Sequence, residues 1–255
     1  MNKEDTINVY WAPFYKLNNS LPFPVPDHNL HYKEPVNLYT ELLKSKEKRS
    51  EVHSHFNCPA VTGRMKSTFV FKNNFYTSFS YDFTDINNPV VTSNEGVHAS
   101  FFKHSSIVGG ASVTLDLMWI FFAEEPVDIH VNPPFYHSPT NLSKQGYVPS
   151  ARMDPSKWFR PYSTELQFWG NKGDVVIQED DPLFYLEVIT NKKVNLQRFK
   201  MNDTLHSIAS ACVQSPHIYG ARLPLVDRYK RFIETKTNAI VLKEIKKELL
   251  NEQIL

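Results

Sequence analysis

A chain of 255 residues with 28 basic and 27 acidic side chains carries a formal charge of +1, so it has no global field to gather nucleic acid or an anionic membrane. Hydrophobic residues make up 41% and aromatic residues 13%, which suffices for a packed core and excludes disorder over most of the length. The length fits one main domain with appendages.

The N-terminal stretch MNKEDTINVYWAP is charged where a signal peptide is apolar, and no run approaches the roughly 20 apolar residues of a spanning helix. We therefore expect no membrane association and residence in a cytoplasm, and the Asn-x-Ser/Thr triplets at Asn18, Asn141 and Asn202 read as chance. INVYWAPF is a short apolar strand. LPFPVPDHNLHYKEP follows, where Pro22, Pro24, Pro26 and Pro35 forbid a helix and predict an extended arm over about 20–35. A short helix is expected over about 37–49, with Leu38, Leu42 and Leu43 on one face and a solvated charged run from Lys44 to Arg49. Cys58 and Cys212 have no CxxC spacing and read as reduced, buried thiols, neither a disulfide framework nor a zinc site.

STFVFKNNFYTSFSYDF alternates as two strands, and Asn73-Asn74 suits the turn of a hairpin. SVTLDLMWIFFA, Ser112 to Ala123, is the strongest buried strand and is expected to cross the middle of a sheet. Asp128 to Val131 makes another strand before VNPPFYHSPT breaks the pattern. A tryptophan-rich turn then leads into two apolar strands around Gly173, DPLFYLEVIT and VNLQRFKM add further strands, and Asn202-Asp203-Thr204 offers caps for the helix LHSIASACV. From Pro224 the chain is helical and amphipathic, with apolar positions Tyr229, Phe232, Ile233, Ile240, Ile245 and Leu249. It is long enough to require a break near Thr235–Asn238 or a projection onto a partner.

The fold class is therefore mainly β, a β-sandwich or jelly roll with a cupin-like double-stranded β-helix as one form, and α+β overall with its C-terminal amphipathic helical segment. Residues 1–200 form the β-rich main domain and residues 201–255 a helical extension packed on the domain or on a partner.

The catalytic signatures GxSxG, GxGxxG and the Walker loop are absent from the sequence, as is any His-x-Asp/Glu pair of a facial iron triad, so no catalytic residues are assigned. His53 and His55 alternate as in a metal-binding strand, but Phe56 to Ala60 supplies no glutamate; with His98 and His104 they are the metal candidates, for Fe, Zn or Mn. The principal reading needs no cofactor. His130, Tyr136 and His137 flank the NPP loop and, with Arg152, Asp154 and Arg160, are the candidate contact surface. Trp158-Phe159 reads as a core staple. Arg160 beneath those rings would require Glu165, Asp128 or Glu187 as partner, since an unpaired buried guanidinium costs several kcal/mol. Trp11, Trp119, Trp158 and Trp169 are the stacking candidates for a carbohydrate-binding alternative.

VYWAPF, the Cys58–Ala60 CPA followed by KSTFVFK, SKWFRP, EDDPLFYLEV and the terminal RYKRFIETK…LKEIKKEL occur in order along nearly the whole chain. Together they resemble an uncharacterised family encoded by tailed bacteriophages, including marine T4-like ones. The resemblance implies a gene product acting in the cytoplasm of an infected bacterium, or within the virion, and brings no assigned activity. The expected function is a non-catalytic protein that binds a protein partner or itself, as a virion-associated or host-interaction factor. A cupin-like metal-dependent enzyme or sensor is the alternative, and nucleic acid is an unsuitable partner.

Overall fold

The computed structural model describes residues 5–14, 32–44, 57–95, 99–103, 111–213 and 224–252. In chain order the strands are β1 (Thr6–Phe14), β2 (Val36–Asn37), β3 (Thr68–Lys72), β4 (Thr77–Asp82), β5 (Val90–Glu95), β6 (Ala99–Lys103), β7 (Ala111–Ala123), β8 (Asp128–Asn132), β9 (Gly146–Tyr147), β10 (Ala151–Met153), β11 (Pro161–Phe168), β12 (Lys172–Ile177), β13 (Pro182–Ile189) and β14 (Lys193–Arg198). The helices are α1 (Leu38–Lys44), α2 (Pro59–Lys66), α3 (Asn141–Gln145), α4 (Asp203–Val213), α5 (Leu225–Glu234) and α6 (Thr237–Glu252).

β7 is the axis of a six-stranded sheet ordered β14-β1-β7-β11-β9, with β6 also on β7. Met118 to Ile120 pair with both β1 and β11, and Val113 to Leu115 with both β6 and β11, so β1 and β6 lie end to end along one edge and β11 along the other. Alternation sorts the side chains. Val113, Leu115, Leu117, Trp119 and Phe121 enter the main core, while Met118, Ile120 and Phe122 enter a second core behind the sheet. The second half of β7 reads as a continuous apolar run because both of its faces are covered.

Opposite this sheet lie a five-stranded sheet, β10-β8-β13-β3-β2, and a three-stranded one, β12-β4-β5. The expected hairpin is overturned here, because β3 and β4 belong to different sheets. β3 pairs with β13 and β4 with β12, all antiparallel. Lys172 opposite Asp82 and Pro182 opposite Lys72 lie on one register, so residues 68–82 and 172–187 form a single ribbon bent at its middle. Asn73, fully buried, holds the bend. Its backbone N–H donates to the Asp181 carbonyl at 2.8 Å, and its carbonyl accepts from the Asp180 N–H at 3.0 Å. Its side-chain Nδ2 reaches the carbonyls of Ile177 and Gln178 at 3.2 Å each, and that of Phe75. Asp180 takes a φ of 70°, a left-handed conformation that aspartate tolerates better than most residues. Asn74 accepts the Lys33 N–H at 3.0 Å, so the Asn73-Asn74 pair is a junction rather than a two-residue turn.

The bend lets Phe69 and Phe71 on one arm, and Phe79 and Tyr81 on the other, share a core with Trp11, Trp119 and Phe184. Phe71 stacks on Phe184 at 4.9 Å and meets Trp11, Trp119 and Phe121 edge-on. The end of the proline-rich arm packs on its own chain: Tyr32 is buried against Trp119 at 5.5 Å, and Arg198 donates to the Tyr32 carbonyl at 3.1 Å. Residues 20–31 of that arm, and 45–49 of the expected helix, lie outside the described residues.

The C-terminal helices cover the back of the six-stranded sheet in cis. Leu205, Ala209 and Cys212 of α4, Phe232 of α5 and Val241 and Ile245 of α6 close over Tyr10, Phe14, Met118, Ile120 and Phe122. Trp158 and Phe159 form the expected staple, Trp158 stacking on Tyr229 at 4.1 Å. Asn202 caps α4 through the Leu205 N–H and binds Glu244 and Glu248 of α6. The helix breaks at Lys236, which has a φ of 55°. The break resets the helical phase, so Val241 takes the buried position that an unbroken helix assigns to Ile240, which is 49% exposed. Of the two thiols Cys212 is buried, and burial pushes it up to about 11; Cys58 is exposed, contrary to expectation, because it precedes the exposed first turn of α2.

Asn73→Ala removes donors from several buried carbonyls and should cost about 2–4 kcal/mol, seen as a fall in the thermal midpoint of roughly 5–15 °C. Asn73→Asp, nearly the same volume but facing those carbonyls with a carboxylate, should cost at least as much. A midpoint equal to the parent for both would show that the bend does not depend on this amide.

Candidate functional site

The outer face of the five-stranded sheet carries a row of polar side chains on a scaffold that is otherwise apolar. Register places Arg152 opposite His130, His130 opposite Glu187, and Glu187 opposite Thr68; in the neighbouring row Asn132 faces Tyr185, and Tyr185 faces Val70. α1, α2 and a 3-10 turn at Phe135–His137 lie over this face, where Leu38, Met65, Val70 and Tyr185 form a small core of their own. Between them lies a narrow cleft lined by residues that include Arg64, Asn132, Phe135, Tyr136 and Glu187.

Two ion-paired chains meet there. Arg64 on α2 binds Glu187 at 2.7 Å, and Glu187 also accepts from Asn132 Nδ2 at 3.3 Å. The Arg64 guanidinium lies 5.3 Å over the Phe135 ring. In the second chain Lys72 pairs with Glu41 at 2.5 Å, and Glu41 Oε2 stands 3.8 Å from His137 Nε2. His137 Nδ1 hydrogen-bonds the Tyr185 hydroxyl at 2.6 Å, and that oxygen also accepts the Tyr136 N–H at 3.2 Å. Burial holds His137 below the ordinary imidazole range, with Glu41 pulling the other way and Lys72 adding to the depression. Burial likewise drives the Tyr185 hydroxyl far above its ordinary range, so the pair meets as neutral imidazole and neutral phenol.

At the cleft the guanidinium, the ammonium and both carboxylates each have a counter-charge from this chain. The cluster clamps α1, α2 and the 133–138 loop to the sheet. Asn37 contributes by accepting from the Thr40 N–H at the start of α1 and donating to the Lys66 carbonyl at the end of α2. His130 Nε2 and Glu41 Oε2 are buried without a hydrogen-bond partner.

Of the residues singled out from sequence, His130, Tyr136 and His137 gather here. Arg152 pairs with Asp128 at the sheet margin. Asp154 is used locally, accepting from Ser156 N and Oγ at 3.0 and 2.7 Å and pairing with Lys157 at 2.8 Å. Arg160 is exposed, which overturns its buried reading: it follows the buried Phe159 and falls on the opposite side of the chain, beside α5, and Glu187 and Asp128 take Arg64 and Arg152 instead. His53, His55, His98 and His104 lie outside the described residues, and among the described residues no three His, Cys, Asp or Glu side chains gather as a metal-ligand set. Sequence reasoning missed Arg64, Glu41 and Tyr185. Glu187 did carry a signal, since a lone carboxylate inside the apolar run LFYLEVI demands a partner.

A second surface is apolar. Val213, Leu225, Val226, Ile233 and Ile240 are 39–63% exposed, and all belong to the C-terminal helical layer. Val226 and Ile233 stand seven residues apart, two turns along one face of α5. Arg228 binds the carbonyls of Cys212 and Val213, which brings the end of α4 to the start of this ridge. Among the described residues no helix is long and apolar enough to cross a membrane. Compared with known proteins, the chain matches no family model, no curated protein and no solved structure.

Because folding depresses the His137 pKa, the unfolded chain binds the proton more tightly. The contribution is present above the ordinary value of 6.5 and is lost as pH falls below it through the lower pKa of the folded state. His137→Gln, which can still bond Tyr185, should flatten the fall in denaturant stability below pH 6.5 relative to the parent. Parallel stability curves for parent and variant over that range would refute the depressed imidazole.

Proposed function

We propose that this is a non-catalytic, protein-binding β-rich protein that works by self-association through its C-terminal helical layer, on a sandwich of jelly-roll type. One observation carries the reading: the five exposed apolar side chains of that layer are concentrated on α4, α5 and the start of α6, whereas the charges of the polar cleft on the other side of the sandwich are mutually neutralised. Apolar groups clustered in this way mark an association surface more often than scattered single ones do. α5 carries three basic side chains, Arg228, Lys230 and Arg231, between the acidic Asp227 and Glu234, so no strong field of one sign marks the ridge for a highly charged partner. The bent ribbon passing from one sheet to another supports the jelly-roll description. The resemblance of the five ordered motifs to a tailed-phage family is the ground for proposing a role as a virion-associated or host-interaction factor in an infected bacterium.

Sedimentation velocity over a wide concentration range should show a reversible, weak dimer, as a surface of this modest size implies. The double variant Val226→Glu, Ile233→Glu should sediment as a monomer with an unchanged melting curve, because both positions are exposed. A parent that stays monomeric throughout, or a dimer indifferent to the double variant, would overturn the proposal.

A further inference from the structure

We infer that Trp169 and Tyr147 form a saccharide-binding platform, separate from the helical ridge and from the polar cleft. Trp169 is 67% exposed, more than any other large hydrophobic side chain among the described residues. Single exposed apolar residues are common; this one is held in place on several sides. One face of the indole lies on Tyr147, with centroids 4.7 Å apart and planes at 29°. Its Nε1 donates to the Ser143 carbonyl at 3.4 Å and its backbone N–H to the Gln145 carbonyl at 2.8 Å. Tyr147 is itself fixed by its hydroxyl donating to Gln167 at 2.8 Å.

The support beneath is equally specified. α3 begins with a capping box between Thr140 and Ser143, and buried Leu142 anchors it in the main core. Gly146 then lets the backbone close onto β11, since a Cβ there would lie 2.0 Å from the Gln167 carbonyl oxygen. The indole has its N–H engaged and one face covered, and it offers the other face with little conformational freedom left to lose on binding.

A flat apolar face suits the C–H face of a pyranose ring, and the rim supplies groups for the hydroxyls. Asp174 is exposed on β12, the next strand in the chain, where the Gln145 amide binds its carbonyl at 2.6 Å, and Lys172 closes the same turn with its side chain 75% exposed. Single-stranded nucleic acid also stacks on aromatic platforms but requires a basic groove, which a chain of net charge +1 with a carboxylate at this rim does not offer.

Saturation-transfer NMR and calorimetric titration of the full chain with cellohexaose, chitohexaose, maltohexaose and a β-galactan oligosaccharide test the platform. At least one should bind; Trp169→Ala should weaken it about tenfold or more, the scale of one lost stacking contact, and Trp169→Phe should retain part of it. All variants should melt with the parent. Binding of none of these saccharides, or binding that Trp169→Ala leaves unchanged, would overturn the inference. So would Trp169-dependent binding of decaproline without any saccharide, which would assign the platform to a proline-rich peptide.

Discussion

The bend in the β3–β4 and β12–β13 ribbon is the constraint on which the packing of the sheets depends. A two-stranded ribbon that changes sheets must interrupt its ladder, and an interruption inside a core leaves carbonyls facing no donor. Asn73 resolves this with a side-chain amide whose Nδ2 is surrounded by acceptors: the carbonyls of Phe75, Ile177 and Gln178, and Thr77 Oγ1. A hydroxyl has one hydrogen to give and a carboxylate none, so the amide is the side chain that fits. With those carbonyls given a donor, one ribbon lines the core with Phe71 from its first arm and Phe79 from its second, both fully buried opposite β7.

The same two-sidedness governs the back of the molecule. β1 and β7 each send alternate residues into different cores, Trp11 and Trp119 forward, Tyr10 and Ile120 backward. A sheet apolar on both faces must be covered on both, and α4 to α6 do that covering. Glu124, bound by Tyr10 and paired with Lys246 at 3.3 Å, fastens α6 at the end of β7. Anchoring by Phe232, Val241 and Ile245 fixes which helical positions remain outside, and so makes Val226 and Ile233 an exposed line.

Most strands were legible in the sequence because their burial follows local alternation: β1, β7, β8 and β14 stand where their patterns put them. The hairpin at Asn73-Asn74 was misread for a physical reason. A ribbon bent between two sheets shows the same local alternation as a hairpin, and only the partner strand, about a hundred residues away, separates them. Ile240 and Val241 exchanged places because a single left-handed residue, Lys236, shifts the phase of everything after it. At the candidate site the NPP loop was legible from its prolines and aromatics, and it does carry Tyr136 and His137 to Tyr185. Arg64 and Glu187 are 123 positions apart, and no spacing rule connects a helix-end arginine to a carboxylate in a central strand.

The two outer layers differ in what they leave available. On the α1–α2 side, Arg64, Lys72, Glu41 and Glu187 are bound to one another. A charged ligand entering the cleft would have to displace an internal partner and strand a carboxylate whose side chain is only 10% or 19% exposed, a substantial penalty. On the helical side the exposed groups are aliphatic, and covering them requires no such exchange; removal of apolar area from water favours association directly. That asymmetry is the physical ground for proposing association on the helical side, and it leaves the half-buried ion pairs the task of holding the opposite layer to its sheet.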